Sequence, residues 1–112
     1  MIGDFIPYKE ALALKELGFD EPCMSSRDMN NGEGLIQLSL YQQALRWFRE
    51  KHKLYVDLFV DDDETFGFMI SYFTEDARVD KPIKRGFSTY REAELASIDM
   101  LIETVKSSAH GK

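Results

Sequence analysis

The sequence predicts an α+β fold, a small antiparallel sheet of two or three strands packed against helices in the order α-α-β-β-(β)-α. Two observations support this prediction. Apolar residues recur at helical spacing in three segments, each beginning or ending at a capping signal. Between the second and third segments the apolar period changes to two, the alternation of a β-strand.

The first helix is expected over residues 7–17. Pro7 suits the first helical turn, where its missing N–H is not needed. Gly18 follows the last turn and precedes Phe19, which in this capping geometry folds back on Leu14. Residues 20–38, rich in turn formers, then predict a loop, either a mobile connector or a functional lid.

Residues 39–112 are expected to form an α-β-β-β-α core, and with the first helix and the loop they make one domain over 1–112. The second helix is expected to begin at Ser39, because Ser39 and Gln42 match a capping box. It should end near His52, where a positive charge suits the helix dipole. Alternating residues predict strands over 54–60 and 66–73.

The third, short strand is expected over 83–87, behind Pro82, which suits a sheet edge. Thr89 and Glu92 form a second capping box and begin the last helix. That helix is apolar over most of its circumference. We therefore expect it to be buried on more than one side, against the sheet and against the first helix or another subunit.

Composition limits the classes of function. The chain has 112 residues and a formal net charge of −6, which disfavours general binding to nucleic acid or anionic membranes. One cysteine, Cys23, cannot form an internal disulfide, which fits a reducing compartment. No apolar run approaches the ~18 residues of a membrane span, and the first residues do not resemble a signal peptide. We expect a cytoplasmic protein.

Catalytic motifs are not evident in the sequence. Two histidines and one cysteine lack zinc-ligand spacing, and no glycine loop suits a phosphate. The acidic run at 61–64 lacks the spacing of a calcium loop, so we expect a solvated turn. The sequence thus predicts no enzyme, no cofactor and no metal.

Surplus aromatic residues predict a protein-binding surface instead. Tyr55 and Phe59 share one face of their strand, and helices that cover only the other face would leave them exposed. Trp47 and Met100 are further candidates for this surface, at the rim of the second helix and on the flank of the last. A two-fold homodimer would cover such a surface most simply, since a self-complementary patch covers itself.

Nucleic-acid binding is the alternative. Exposed aromatics on a sheet can stack single-stranded bases. A basic strip over 81–91 could contact phosphates; its members are Lys81, Lys84, Arg85 and Arg91. The element order from residue 39 onward also resembles a double-stranded-RNA-binding domain, although Glu92 and Glu94 stand where that family carries a basic cluster.

A longer resemblance covers most of the chain. The segments KELGFDEPC (15–23), YQQALRWFREKH (41–52) and TYREA (89–93) together look like a group of uncharacterised small proteins from phages and mobile elements of gut Bacteroides-like bacteria. The resemblance implies a bacterial or phage cytoplasmic setting and no particular activity. With the composition, it favours a non-enzymatic accessory protein that acts through protein–protein contacts.

The acidic turn gives a first testable prediction. Millimolar calcium or magnesium should leave the melting temperature unchanged, because adjacent carboxylates at a strand end diverge. A ligand that binds only the folded state adds ~2.7 kcal/mol at 100 times its dissociation constant. A rise of several degrees in a thermal melt would therefore contradict this prediction.

Overall fold

The order of helices and strands confirms the α+β prediction. A computed structural model describes residues 5–23, 25–28 and 35–110. The elements are α1 (Tyr8–Glu16), β1 (Ser25–Asp28), β2 (Leu35–Leu38), α2 (Tyr41–His52), β3 (Tyr55–Val60), β4 (Phe66–Phe73), β5 (Arg78–Asp80), β6 (Lys84–Phe87) and α3 (Tyr90–His110).

The end of α1 has the predicted geometry. The N–H of Phe19 donates to the Leu14 carbonyl at 3.0 Å, and the N–H of Gly18 donates to the Lys15 carbonyl at 3.0 Å. Gly18 has φ +103°, a conformation that glycine tolerates and L residues rarely adopt. The reversal places Phe19 in the core, 5% exposed.

The predicted loop over 20–38 is wrong for eight of its residues. β1 and β2 pair in antiparallel register, from Ser25 opposite Leu38 to Asp28 opposite Leu35. Ile36 is buried at 1% exposure, and β2 packs beneath α1. Turn-forming residues dominated the sequence pattern, whereas burial of Ile36 against α1 is a tertiary effect. Residues 24 and 29–34 lie outside the described residues.

The predicted capping box at Ser39 is also wrong. Leu40 occupies the N-cap position of α2 and no side chain caps the helix. The Ser39 carbonyl accepts the N–H of Ile6 at 2.9 Å, while its hydroxyl is buried without a partner. Gln42, the expected second member of the box, donates to Glu94 Oε2 at 2.8 Å instead.

β4 is the middle strand of the main sheet. Along one edge it pairs with β3, from Tyr55 opposite Ser71 to Val60 opposite Phe66, which confirms the predicted hairpin. Along the other edge β5 pairs with the end of β4, and β6 pairs with its beginning. β6 confirms the predicted third strand, whereas the sequence analysis missed β5.

The last helix packs across the sheet as expected. Its capping box is confirmed: the N–H of Glu92 donates to Thr89 Oγ1 at 3.0 Å, and the N–H of Thr89 donates to Glu92 Oε1 at 3.1 Å. α3 contacts β4 most extensively and also contacts α1 and α2. The described helices α1 and α2 thus supply the second cover that its broad apolar face requires.

The backbone at two helix ends gives a second prediction. Gly18→Ala should lower the free energy of unfolding by about 1–2 kcal/mol, because a Cβ at φ +103° strains the backbone and meets nothing within 4 Å that could compensate. Lys53, which follows α2, is the opposite case: a residue with a Cβ already occupies the left-handed region, at φ 57°. Lys53→Gly should raise the free energy of unfolding. Urea titrations measure both; a stabilising Gly18→Ala would contradict the assignment.

Candidate functional site

The described helices pack on one side of the main sheet. Val56, Leu58, Phe68 and Ile70 belong to the core, together with side chains from all three helices. The alternate residues point away from the helices and form a surface that we call the outer face. Its members are Tyr55, Asp57, Phe59, Met69, Ser71, Phe73, Arg78, Asp80 and Arg85.

An exposed aromatic pair lies at one end of the outer face. Tyr55 on β3 and Phe73 on β4 meet edge to face, with ring centroids 5.9 Å apart. Phe73 is 64% exposed and Tyr55 37%. Neither ring belongs to the core cluster. This pair is the largest apolar feature that the described part of the chain leaves open to solvent on this face.

A third aromatic residue of the outer face, Phe59, lies close against Gly67 of the neighbouring strand β4. A Cβ added to Gly67 would sit 2.7 Å from the Phe59 ring and 2.5 Å from the Lys84 carbonyl, so only glycine permits this close approach. The Arg85 guanidinium covers the ring at 5.7 Å from its centroid. Arg85 also pairs with Asp61, at 3.8 Å between Nε and Oδ2.

A polar network separates the two aromatic features. The Ser71 hydroxyl donates to Asp80 Oδ1 at 2.7 Å, and Arg78 Nε donates to the same oxygen at 2.7 Å. Arg78 also reaches Asp57 on β3, at 3.6 Å. The Ser71 hydrogen bond and then Arg78 lower the pKa of Asp80, so this carboxylate stays charged at neutral pH.

Acidic turns bound the outer face at both strand ends. The β3–β4 turn carries four acidic residues, 61–64, and the β4–β5 turn carries Glu75 and Asp76. Asp63 is held within its turn: it accepts the hydroxyl of Thr65 at 2.6 Å, a bond that lowers the pKa of Asp63. No group of three potential metal ligands occurs among the described residues.

The structure brings only part of the predicted partner surface together. Tyr55 and Phe59 lie on the outer face. Trp47 does not: it is 5% exposed and packs between Phe19 and His52, with ring centroids at 5.4 and 5.0 Å. The prediction that Trp47 offers a partner surface is therefore wrong, because the reversal after α1 covers this side of α2. Met100 is half-buried against the core.

The predicted basic strip is divided between one edge of the sheet and α3. Arg85 lies on the outer face, whereas Arg91 lies on α3, with its guanidinium over the Tyr41 ring at 4.2 Å. Arg91 also donates to Glu94 at 3.0 Å. Lys81 precedes Pro82 on the segment between β5 and β6, and Lys84 is the first residue of β6.

Six residues of the outer face were not among the predicted site residues: Asp57, Met69, Ser71, Phe73, Arg78 and Asp80. Met69 and Phe73 occupy the alternate positions of β4, so period two already groups them. The sequence did not indicate which face of the sheet the helices cover. Arg78 lies on β5, a strand of three residues that gives no periodic signal of its own.

Titratable groups are also buried in the helix layer. Glu94 is 4% exposed, and Gln42 and Arg91 bind both of its oxygens. Glu10 on α1 is 5% exposed and shares a hydrogen bond with Asp99 on α3. Burial first, then this bond and the charge of Glu10, raise the pKa of Asp99 to about 7.

His52 and Cys23 have environments that suit packing. Burial, with a smaller effect of Lys51, lowers the pKa of His52, so the ring is neutral at pH 7 and packs against Trp47. His52 ends α2 as expected, and its lowered pKa disfavours the charged form that would interact with the helix dipole. Burial raises the pKa of the Cys23 thiol, which donates to the Glu21 carbonyl at 3.4 Å. A raised pKa disfavours the reactive thiolate.

No family model, curated protein or solved structure matches this chain. Within the described residues, no helix combines the length and the apolarity that crossing a bilayer requires.

The Glu10–Asp99 contact gives a third prediction. Asp99 binds protons more tightly in the folded chain than at its ordinary pKa of 3.8, so the free energy of unfolding falls as pH rises from about 4 to about 7. Asp99→Asn cannot ionise. The variant should therefore melt at a higher temperature than the wild type at pH 8, and the difference should vanish near pH 4.

Glu103→Gln is the matched control, because Glu103 is exposed on the same helix. It should keep the wild-type pH dependence. Thermal melts between pH 4 and 8 measure all three proteins. An Asp99→Asn variant that parallels the wild type across this range would contradict the raised pKa.

Proposed function

We propose that this chain is a non-enzymatic binding protein of a phage or mobile element, which works in the cytoplasm through protein–protein contacts made by its outer face. One observation carries the proposal. No described element covers this side of the sheet, although it presents the exposed pair Tyr55 and Phe73. Exposed, contiguous apolar surface on a small domain commonly marks an interaction site.

The residue types of the outer face support this proposal. Aromatic residues, methionine and arginine are enriched in protein interfaces, and Tyr and Arg are frequent among the residues that dominate binding energy. Tyr55, Phe73 and Met69 provide apolar area. Arg78 and Arg85 are already held by carboxylates of the same chain, so they are oriented before a partner arrives.

Charge indicates the kind of partner. Both ends of the face carry acidic turns, and no basic residue occurs between positions 57 and 76. A partner with an apolar centre flanked by Lys or Arg complements this arrangement. A second copy fits less well face to face, because either aligned two-fold arrangement of the strands brings acidic turns together.

The same charges disfavour nucleic acid at this face. Tyr55 and Phe73 could stack bases, but a strand of phosphates would pass the acidic turns. Of the basic strip, Lys81, Lys84 and Arg85 lie along the β5–β6 edge of the sheet, whereas Arg91 lies on α3. A salt-dependent mobility shift with single-stranded DNA or RNA would favour the nucleic-acid alternative over the proposed function.

The fourth prediction tests the outer face directly. Phe73→Ser should weaken binding of the partner at least tenfold, because it removes the most exposed ring of the aromatic pair. Ile83→Ser is the matched control: Ile83 is 47% exposed and lies outside the face. A partner captured from the native host with the wild type would be purified and titrated against all three proteins by calorimetry.

Equal affinity of the Phe73→Ser variant and the wild type would contradict a role for the outer face. So would a loss of binding in the Ile83→Ser variant alone. Circular dichroism melts of both variants check that the fold is retained, which is expected because both side chains are largely exposed.

A further inference from the structure

β3 is an unprotected edge strand. It pairs with β4 on one side, and no described strand pairs with it on the other. Its sequence, YVDLFV, has one charged residue and no proline. Proteins ordinarily protect a free edge with lysine, proline, a bulge or a very short strand, because its unpaired N–H and C=O groups can bind another chain.

The opposite edge of the same sheet has all of these protections. It is divided into the short strands β5 and β6, with Pro82 between them. The register of β6 against β4 shifts between Phe66 and Phe68. Lys81, Lys84 and Arg85 lie along this edge. One edge of the sheet is thus blocked while the other, β3, is left suited to pairing.

The inner side of β3 has room beside it. A groove of about 190 Å³ separates β3 from α2, and it is lined by Leu45, Val56, Leu58 and Tyr90 together with the polar side chains of Gln42, Arg49 and Asp57. Val56 and Leu58 are half-buried, and Val60 at the end of the strand is 61% exposed. A row of three aliphatic side chains along the free edge is therefore incompletely covered.

We propose that a second copy of this chain adds to β3 in antiparallel orientation across a two-fold axis, joining the two main sheets into one. The side chains of Val56, Leu58 and Val60, which we call the inner row, favour a second copy of the chain over another partner for this edge. It reads Val56, Leu58, Val60, which is the same in both directions about Leu58. A two-fold axis at Leu58 therefore sets Val60 opposite Val56 of the second copy, and Leu58 opposite its own equivalent.

Charge disfavours the two registers adjacent to this one, since an axis at Phe59 would set Asp57 opposite Asp61 of the second copy. In antiparallel strands, the side chains of directly opposed residues lie on the same face of the sheet. A two-fold axis between two residues would oppose an inner residue to an outer one, so the axis must pass through a residue position. An axis at Asp57 would set two carboxylates directly opposite, which is destabilising. An axis at Leu58 instead sets Asp57 opposite Phe59 of the second copy, the ring that Arg85 covers at 5.7 Å.

The dimer leaves both outer faces open, because edge pairing uses main-chain groups and the inner row. This inference therefore does not rest on the proposed function, and the two fail independently. The assembly presents two outer faces on one continuous sheet. A partner with two equivalent sites would then bind more tightly than one face allows, through effective concentration.

Oligomeric state tests the proposal. Light scattering at ~100 µM should give twice the 13.0 kDa of one chain. Val60→Lys should give a monomer, because it puts a charge opposite an aliphatic residue at the joint. Phe73→Lys is the matched control, with 64% exposure against 61% for Val60, and should remain dimeric. Circular dichroism confirms that both variants fold.

Cross-linking tests the register in a Cys23→Ser background. Val56→Cys and Val60→Cys chains, mixed and oxidised, should form a disulfide between copies. The Val60→Cys chain alone should not form one, since position 60 of one copy and position 60 of the other would lie about 13 Å apart along the strands. A monomer at all concentrations would overturn the proposal, as would a dimer that Phe73→Lys dissociates and Val60→Lys does not, or a Val60→Cys chain that cross-links to itself.

Discussion

The packing of α3 on β4 is the contact on which the rest of the structure depends. Phe68 and Ile70 on β4 and Ile98 and Leu101 on α3 are buried to 2% exposure or less. β4 pairs with three strands, and α3 contacts both other helices, so all parts of the main sheet and of the helix layer meet these two elements. Because strand side chains alternate, burying Phe68 and Ile70 turns Met69 and Phe73 outward. The outer face is therefore a consequence of the core.

The centre of the outer face is closed by small residues and ion pairs. Gly67 lies beneath the Phe59 ring, and Ser71 is 3% exposed beneath Asp80 and Arg78. These contacts cover the backbone of β4 without help from another layer. The aromatic pair beside them has no such cover in the described residues. The polar groups at the centre of the outer face are hydrogen-bonded, and its margin is apolar. Such a face can bind a partner and is also stable in its absence.

Local signals made much of the fold predictable. Strands 54–60 and 66–73, the reversal at Gly18 and the capping box at Thr89 each depend on residues close in sequence. The failures depend on distant contacts. The sequence around Ser39 predicts a helix cap, but the Ser39 carbonyl accepts a hydrogen bond from the N–H of Ile6, and Leu40 is the N-cap residue. Trp47 was placed at a rim, but Phe19 covers it. For the candidate site, the sequence supplied Tyr55 and Phe59 and could not say which face the helices cover.

The buried carboxylate Glu94 connects the core to the free edge of the sheet. Desolvating a carboxylate is costly, and hydrogen bonds from Gln42 and Arg91 offset that cost only in one geometry. That geometry ties the first turn of α2 to the first turn of α3. Gln42 and Tyr90, one on each of these turns, also line the groove beside β3. The Gln42–Glu94 hydrogen bond therefore joins α2 to α3 beside this groove, in addition to the apolar packing of Ala44 and Phe48 on α2. A leucine in place of Glu94 could pack against the core, but it would leave Gln42 without this hydrogen-bond partner beside the groove.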